Sequence, residues 1–185
     1  MAIGESMQLD GSARTQTQPA PGTIITTGAA KFLAVFRVVL GFEFLWAFLD
    51  KTFGFGYATP AERAWINGGS PTTGFLKGVD GPFAGVFNAM AGSPVADWLF
   101  MVGLLGIGVA LVLGIGMRIA AGAGAVLLTF MWAASLPITT NPFLDDHLVY
   151  ALVLVALALL HLGDTFGLGG AWSRLPVVRR FGFLR

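Results

Sequence analysis

The side chains of this sequence that could do chemistry lie mostly inside runs of apolar residues. An ionisable group there costs at least ~2.5 kcal/mol on the membrane-insertion scale, so each one needs a reason. Arg37, Glu43 and Asp50 share one run, and His161 and Asp164 end another that starts at His147. Arg37 falls about two turns into its run. If the last run is a helix of the opposite direction, His161 lies about 21 Å from His147 at ~1.5 Å per residue, near the depth of Arg37. Asp164 then sits one turn farther on a neighbouring face. Arg37, His161 and Asp164 would meet between the first and last helices, where they could hold a carbonyl-bearing ligand and move a proton to it. The competing readings are a polar clamp that pins two helices together without turnover, and snorkelling of the long side chains to the headgroups.

Glu43 is nearer the middle of its run than Arg37. Six residues separate the two, which puts them on different faces about 9 Å apart along the axis. Glu43 and Asp50 are seven apart and share a face, with Trp46 beside them. That face leads to the end of the helix where Lys51, Asp145, Asp146 and His147 also gather. It could carry protons or admit a polar ligand, and Trp46 could pack on a flat ring. Otherwise Glu43 is protonated and hydrogen-bonded inside the bundle, or faces a partner subunit. His147 and His161 are too far apart to share one ion, so no metal site is expected, and haem is not expected either. Cysteine is absent, which excludes disulfides, iron–sulfur clusters and thiolate zinc on this chain.

The elements that must position these groups are membrane helices. Apolar residues make up 55% of the chain and charged ones 11%, about half the usual share for a soluble protein. Mean hydropathy is +0.75. Four apolar stretches approach the ~20 residues that a bilayer demands: 32–53, 95–116, 118–137 and 147–168. Residues 1–28 read as a disordered polar tail, 29–168 as the membrane domain, and 169–185 as a basic tail. Gly114 to Arg118 forms a tight hairpin turn between the second and third stretches. Sustained apolarity without alternation argues against a barrel. The expected fold is all-α, an integral membrane four-helix bundle. With the N-terminus in the cytoplasm, Arg14, Lys31, Arg118, Arg174, Arg179, Arg180 and Arg185 lie inside, and only Lys51, Arg63 and Lys77 outside. Seven against three places both termini in the cytoplasm by the positive-inside rule, in the plasma membrane. The net charge of +1 offers no basic face for nucleic acid.

The outer loop, 54–94, is long enough to have a task of its own. Thr59-Pro60-Ala61-Glu62 predicts a helix start with a capping threonine. Phe83, Val86, Phe87 and Met90 recur at helical spacing, which predicts short helices lying in the interface, either as a lid over the outer mouth or as plain anchors.

Three stretches together resemble the DoxX/DoxD family of small four-helix membrane proteins. In the first helix, Arg37 through Leu45 leads to Asp50-Lys51-Thr52-Phe53-Gly54. The hairpin contributes Gly114-Ile115-Gly116-Met117-Arg118, and the last stretch Asp146-His147-Leu148 through Gly163-Asp164-Thr165-Phe166-Gly167-Leu168, with Trp172 after it. The long loop and the closing glycine-rich motif lean toward the DoxD branch. The resemblance implies a quinone-binding membrane subunit of an oxidoreductase, of the thiosulfate:quinone type. It matches Arg37 and Lys51 to the family's basic positions. On that reading Arg37, Glu43, His161 and Asp164 are the candidate catalytic groups, and Arg37, Trp46, Lys51 and His161 the candidate quinone ligands. Besides the bilayer, the expected partners are a second oxidoreductase subunit, a soluble redox protein, or another copy of this chain. The alternative function is a non-catalytic membrane scaffold for a soluble redox or oxidative-stress partner.

Overall fold

A computed structural model of the chain describes residues 25–139 and 141–185. Among them every regular element is helical. The helices are α1 (Thr27–Phe53), α2 (Thr73–Lys77), α3 (Ala84–Met90), α4 (Pro94–Leu113), α5 (Met117–Ala134), α6 (Asp146–Leu159), α7 (Gly169–Trp172) and α8 (Pro176–Arg180). The polar tail expected at the N-terminus lies almost wholly outside the described residues.

Local chemistry sets most of these boundaries. The Thr26 hydroxyl accepts from the Ala29 amide at 3.2 Å and starts α1. Gly54, at φ +70°, stops it in a conformation that costs glycine nothing. Pro94 opens α4 at its first turn, and Gly114 at φ +72° closes it. The Asp145 carboxylate caps α6 by accepting from the Leu148 amide at 3.2 Å.

By length and composition α1, α4 and α5 can each cross a membrane. Their surfaces agree: Phe32 of α1, Leu99 of α4 and Phe130 of α5 are all more than half exposed, which water would not tolerate in such number and a lipid solvent would. α6 is different. Its 14 helical residues span only about 21 Å at ~1.5 Å per residue, short of a hydrocarbon core. The helix expected to reach residue 168 stops at Leu159. His161, at φ +52°, starts a run of turns instead.

α1 packs on α4, α4 on α5, and α5 on α6. Leu40, Phe44, Met101, Leu104, Leu111, Leu154 and Leu157 form the shared core. Glycines let the helices approach closely. A Cβ on Gly108 would fall 2.9 Å from the Leu45 backbone nitrogen, and one on Gly41 the same distance from the Val112 nitrogen. The loop between α1 and α4 is tied down rather than free. Its expected helix start at Thr59 is a single 3-10 turn, Ala61–Arg63, after Pro60, with no capping bond from a side chain. The expected helix at 82–91 is α3, whose Phe87 is buried while Phe83, Val86 and Met90 are exposed.

The glycine contacts generate a paired prediction. Gly108→Ala should destabilise the protein by about 1–3 kcal/mol, because backbone cannot yield to the added methyl. Gly106→Ala, which meets nothing within 4 Å, should be neutral or stabilising. Chemical unfolding in detergent micelles, followed by circular dichroism, measures both.

Candidate functional site

Arg37 is fully buried on the α4-facing side of α1. Its Nη1 donates to the carbonyls of Leu111 and, at 3.3 Å, Val112. Its Nη2 donates to the carbonyls of Thr165 at 3.3 Å and Phe166 at 3.0 Å. Only the Nε–H lacks a partner. Leu111 and Val112 are in the last turn of α4, where carbonyls have no intrahelical donor and the helix dipole is negative. The neighbouring ends are also met: Gly114 and Ile115 amides donate to Ala110, and the Leu168 amide to Leu113 at 2.8 Å. One guanidinium therefore closes the end of α4 and sews the turn after α6 onto it. Of the three sequence readings for Arg37, the geometry is that of a clamp, although it clamps α1 to α4 and a loop.

The expected trio does not assemble. His161 is exposed, in the left-handed region, and its ring makes no hydrogen bond to Arg37 or Asp164; its one link to Asp164 is a turn bond, the Asp164 amide donating to the His161 carbonyl at 3.2 Å. Asp164 faces the tail, where its carboxylate accepts from Arg185 Nη2 at 3.3 Å. The physical reason is the early end of α6. The depth argument needed an unbroken helix through residue 164, and the chain turns at His161 instead.

Glu43 and Asp50 are also separated. Glu43 is exposed on the outward side of α1. Asp50 is buried, and its carboxylate accepts from the amides of Tyr57 at 3.4 Å and Ala58 at 3.0 Å. Helical periodicity gave the two a common face, but the loop folds back over Asp50 and leaves Glu43 outside. Trp46 sits in an aromatic cluster, stacked with Phe42 and Phe55 and edge-on to Tyr57 at 5.2 Å between centroids. Its indole already has three ring neighbours. Asp145, Asp146 and His147 come together at the start of α6, with His147 Nδ1 2.7 Å from Asp145 and 3.5 Å from Asp146. Asp145 is the helix cap there.

Lys51 is the nominated residue that meets a cavity of ligand size; His161 and Asp164 line only a recess of about 10 Å³. It lies in the last turn of α1 and lines a chamber of about 370 Å³. The roof is the loop: Pro71, Thr72, and Phe75 and Leu76 of α2, with Phe87 and Met90 of α3. The floor is Leu99 and Phe100 of α4, with Val126, Phe130 and Met131 of α5. The Lys51 ammonium lies 5.9 Å from the centroid of Phe100, within cation–π range. Among the described residues it has no carboxylate within 4.0 Å.

Sequence reasoning missed Asp97, which builds the roof. This buried carboxylate in the first turn of α4 accepts at one oxygen from Ser70 Oγ at 2.8 Å, Thr72 Oγ1 at 2.6 Å and the Thr72 amide at 3.2 Å. The available signal was its position, an acidic residue in the first turn of an otherwise uncharged apolar run. The chamber walls had a signal too, in the helical spacing of Phe83, Val86, Phe87 and Met90.

Fold and site define an all-helical protein with three membrane-length helices and a lysine-bearing apolar chamber roofed by a tethered loop. No protein-family model, curated protein or solved structure matches the chain. The DoxX/DoxD resemblance rests on the residues quoted for it.

The clamp predicts that Arg37→Met destabilises the protein by about 3 kcal/mol or more, since several buried carbonyls lose their donor together. Arg37→Lys should recover little, because one ammonium cannot span two separated carbonyl pairs as the fork does. Unfolding in micelles reads the effect, and an Arg37→Met protein as stable as the parent would refute the clamp.

Proposed function

We propose that this protein is a quinone-binding membrane subunit of an oxidoreductase and that the quinone sits in the Lys51 chamber. The observation that carries the reading is an apolar, ring-lined cavity of about 370 Å³ with a single cation at its wall. Small-molecule sites have this makeup, a mostly apolar lining and few polar groups that fix orientation. Leu99, Phe75 and Phe130 are exposed on the surface that lipid would cover, so an isoprenoid tail has a way out among them. A bound quinone supplies the capacity to take up two electrons and two protons. The residues of this chain bind and orient it: Phe100 and Phe130 offer ring faces, and the Lys51 ammonium donates to a carbonyl oxygen. A fixed cation there favours negative charge developing on that oxygen. Without cysteine, the chain needs a donor from outside itself, on a second subunit or a soluble protein.

The reading includes the topology. α1, α4, α5 and α6 with its following turns make four crossings, with both termini in the cytoplasm of a plasma membrane and the chamber toward the outer leaflet. Non-helical backbone at membrane depth is tolerated where its polar groups are satisfied by protein. Arg37 and Leu113 serve that purpose for the turns around 165–168.

Two measurements test this. Native mass spectrometry of protein gently extracted from its own membranes should find a co-purifying quinone. Lys51→Met, and Ala96→Phe, which fills the chamber from the α4 wall that Ala96 lines, should each reduce its retention about tenfold or more, the loss of roughly one charge-assisted hydrogen bond or of fit. Protein carrying only phospholipid would favour the scaffold alternative. Because the chain has no cysteine, single-cysteine variants report sidedness directly. Ala58→Cys should react with an impermeant maleimide on intact cells, and Ser173→Cys only after permeabilisation.

A further inference from the structure

Three basic residues far apart in sequence converge on a second cavity at the loop end of the molecule. Lys51 from the end of α1, Arg63 from the 3-10 turn and Lys77 from the end of α2 all line one cleft of about 660 Å³. It is a more polar space than the apolar chamber and shares a wall with it, since Lys51, Pro71 and Phe75 line both.

None of the three cations forms an ion pair among the described residues, although the adjacent Asp50 carboxylate attracts Lys51 through space. Among the described residues, no carboxylate comes within 4.0 Å of any of them, and none donates a hydrogen bond to a protein group. Two buried carboxylates of this end of the molecule are committed elsewhere. Asp50 accepts from the Tyr57 and Ala58 amides, and Asp97 from Ser70 and Thr72. Glu62 is the only acidic residue that lines the cleft, so the lining carries a net charge of about +2. Like charges drawn around one concave space repel one another and focus a positive potential into it. The fold holds them there through the Asp97 network, which fixes the 70–73 wall between them.

We infer that this cleft is an oxyanion site, taking a phosphate- or sulfate-class group whose oxygens accept from Arg63, Lys77 and Lys51. The planar fork of Arg63 suits two such oxygens at once, and the lysines act as point charges. The same group could come from a free anion in the aqueous phase or from an anionic phospholipid headgroup with its chains in the adjoining bilayer. The inference does not depend on a quinone in the chamber.

The test uses the whole protein in nanodiscs. In phosphatidylcholine discs, inorganic sulfate and phosphate are titrated by calorimetry at low ionic strength. In discs doped with phosphatidylglycerol, lipid retention is read by native mass spectrometry. Arg63→Gln and Lys77→Gln should each weaken binding about tenfold, the loss of roughly one charge-assisted hydrogen bond. Both side chains are exposed, and unchanged melting confirms that the variants fold. Arg179→Gln, an equal charge change on α8, is the control. Saturable sulfate or phosphate binding that weakens in the two cleft variants supports the site and a soluble source. Retention of phosphatidylglycerol alone, lost in the same variants, supports it with a headgroup source. No saturable binding of either probe, or equal losses in Arg179→Gln, overturns the inference. A quinone retained in that case leaves the chamber reading standing, and the reverse pattern leaves the cleft standing.

Discussion

The carbonyls at the end of α4 need donors, and the fully buried Arg37 guanidinium meets that need. A helix ending in lipid surroundings leaves four acceptors exposed, each costly if unpaired. Gly114, Ile115 and Leu168 amides meet two of them, and Arg37 meets the two between. The same side chain then reaches the Thr165 and Phe166 carbonyls, which have no helical partner because α6 has already ended. The tail end of the molecule is thus arranged around one cation. Close approach is part of the device: a Cβ on Gly114 would lie 2.9 Å from Nη1, and one on Gly167 3.0 Å from Nη2. Burying a charge is expensive, and the arrangement is favourable only because all four terminal N–H bonds are spent on acceptors that would otherwise go unpaired.

The opposite end uses carboxylates for the matching problem. There the unpaired groups are amides and hydroxyls of a long loop, so the buried side chains are Asp50 and Asp97. Asp50 gathers the amides of 57 and 58 over the end of α1. Asp97 gathers Ser70 and Thr72 over the start of α4. With those two tethers the loop becomes a roof with α2 and α3 as its beams. Phe87 is buried under α3 and meets Phe130 of α5 edge-on at 6.4 Å. A loop of this length without such anchors would have little reason to enclose a cavity.

What could be read from the sequence follows from how local each signal is. The three long helices begin and end close to expectation because threonine, proline and glycine at their termini act within a few residues. The end of α6 could not be read that way. Apolar residues continue to 168, and what makes the turns at 160–168 stable is an arginine 128 residues earlier in the chain. The depth argument that joined Arg37 to His161 and Asp164 failed with that helix. The Glu43–Asp50 pairing failed for a related reason, since periodicity predicts a shared face and is silent about a loop that returns to cover part of it. Glu43, like Lys31 and Lys51, forms no ion pair on α1 among the described residues. Lys51 was legible as a charge at the outer end of its helix and through the resemblance, but nothing in its local sequence tells which end-of-helix lysine will face a cavity.

Asp50 and Lys51 show how adjacent residues of opposite charge come to have different tasks. A neighbouring Asp–Lys pair on a soluble helix would be expected to share solvent and contribute little. Here the helix ends two residues after Lys51, at Phe53, and the chain turns back through Gly54. The return path puts backbone donors on the Asp50 side, so the carboxylate is neutralised by amides and buried. Nothing on the other side answers the ammonium except the face of Phe100. Lys51 is therefore left without an ion pair, attracted only through space by Asp50, at the seam between an apolar chamber and a more polar cleft. A residue in that position can donate to a ligand in either space without losing an internal partner. That freedom, created by the amides that occupy Asp50, is the physical basis for assigning function to this end of the molecule rather than to the better-satisfied Arg37.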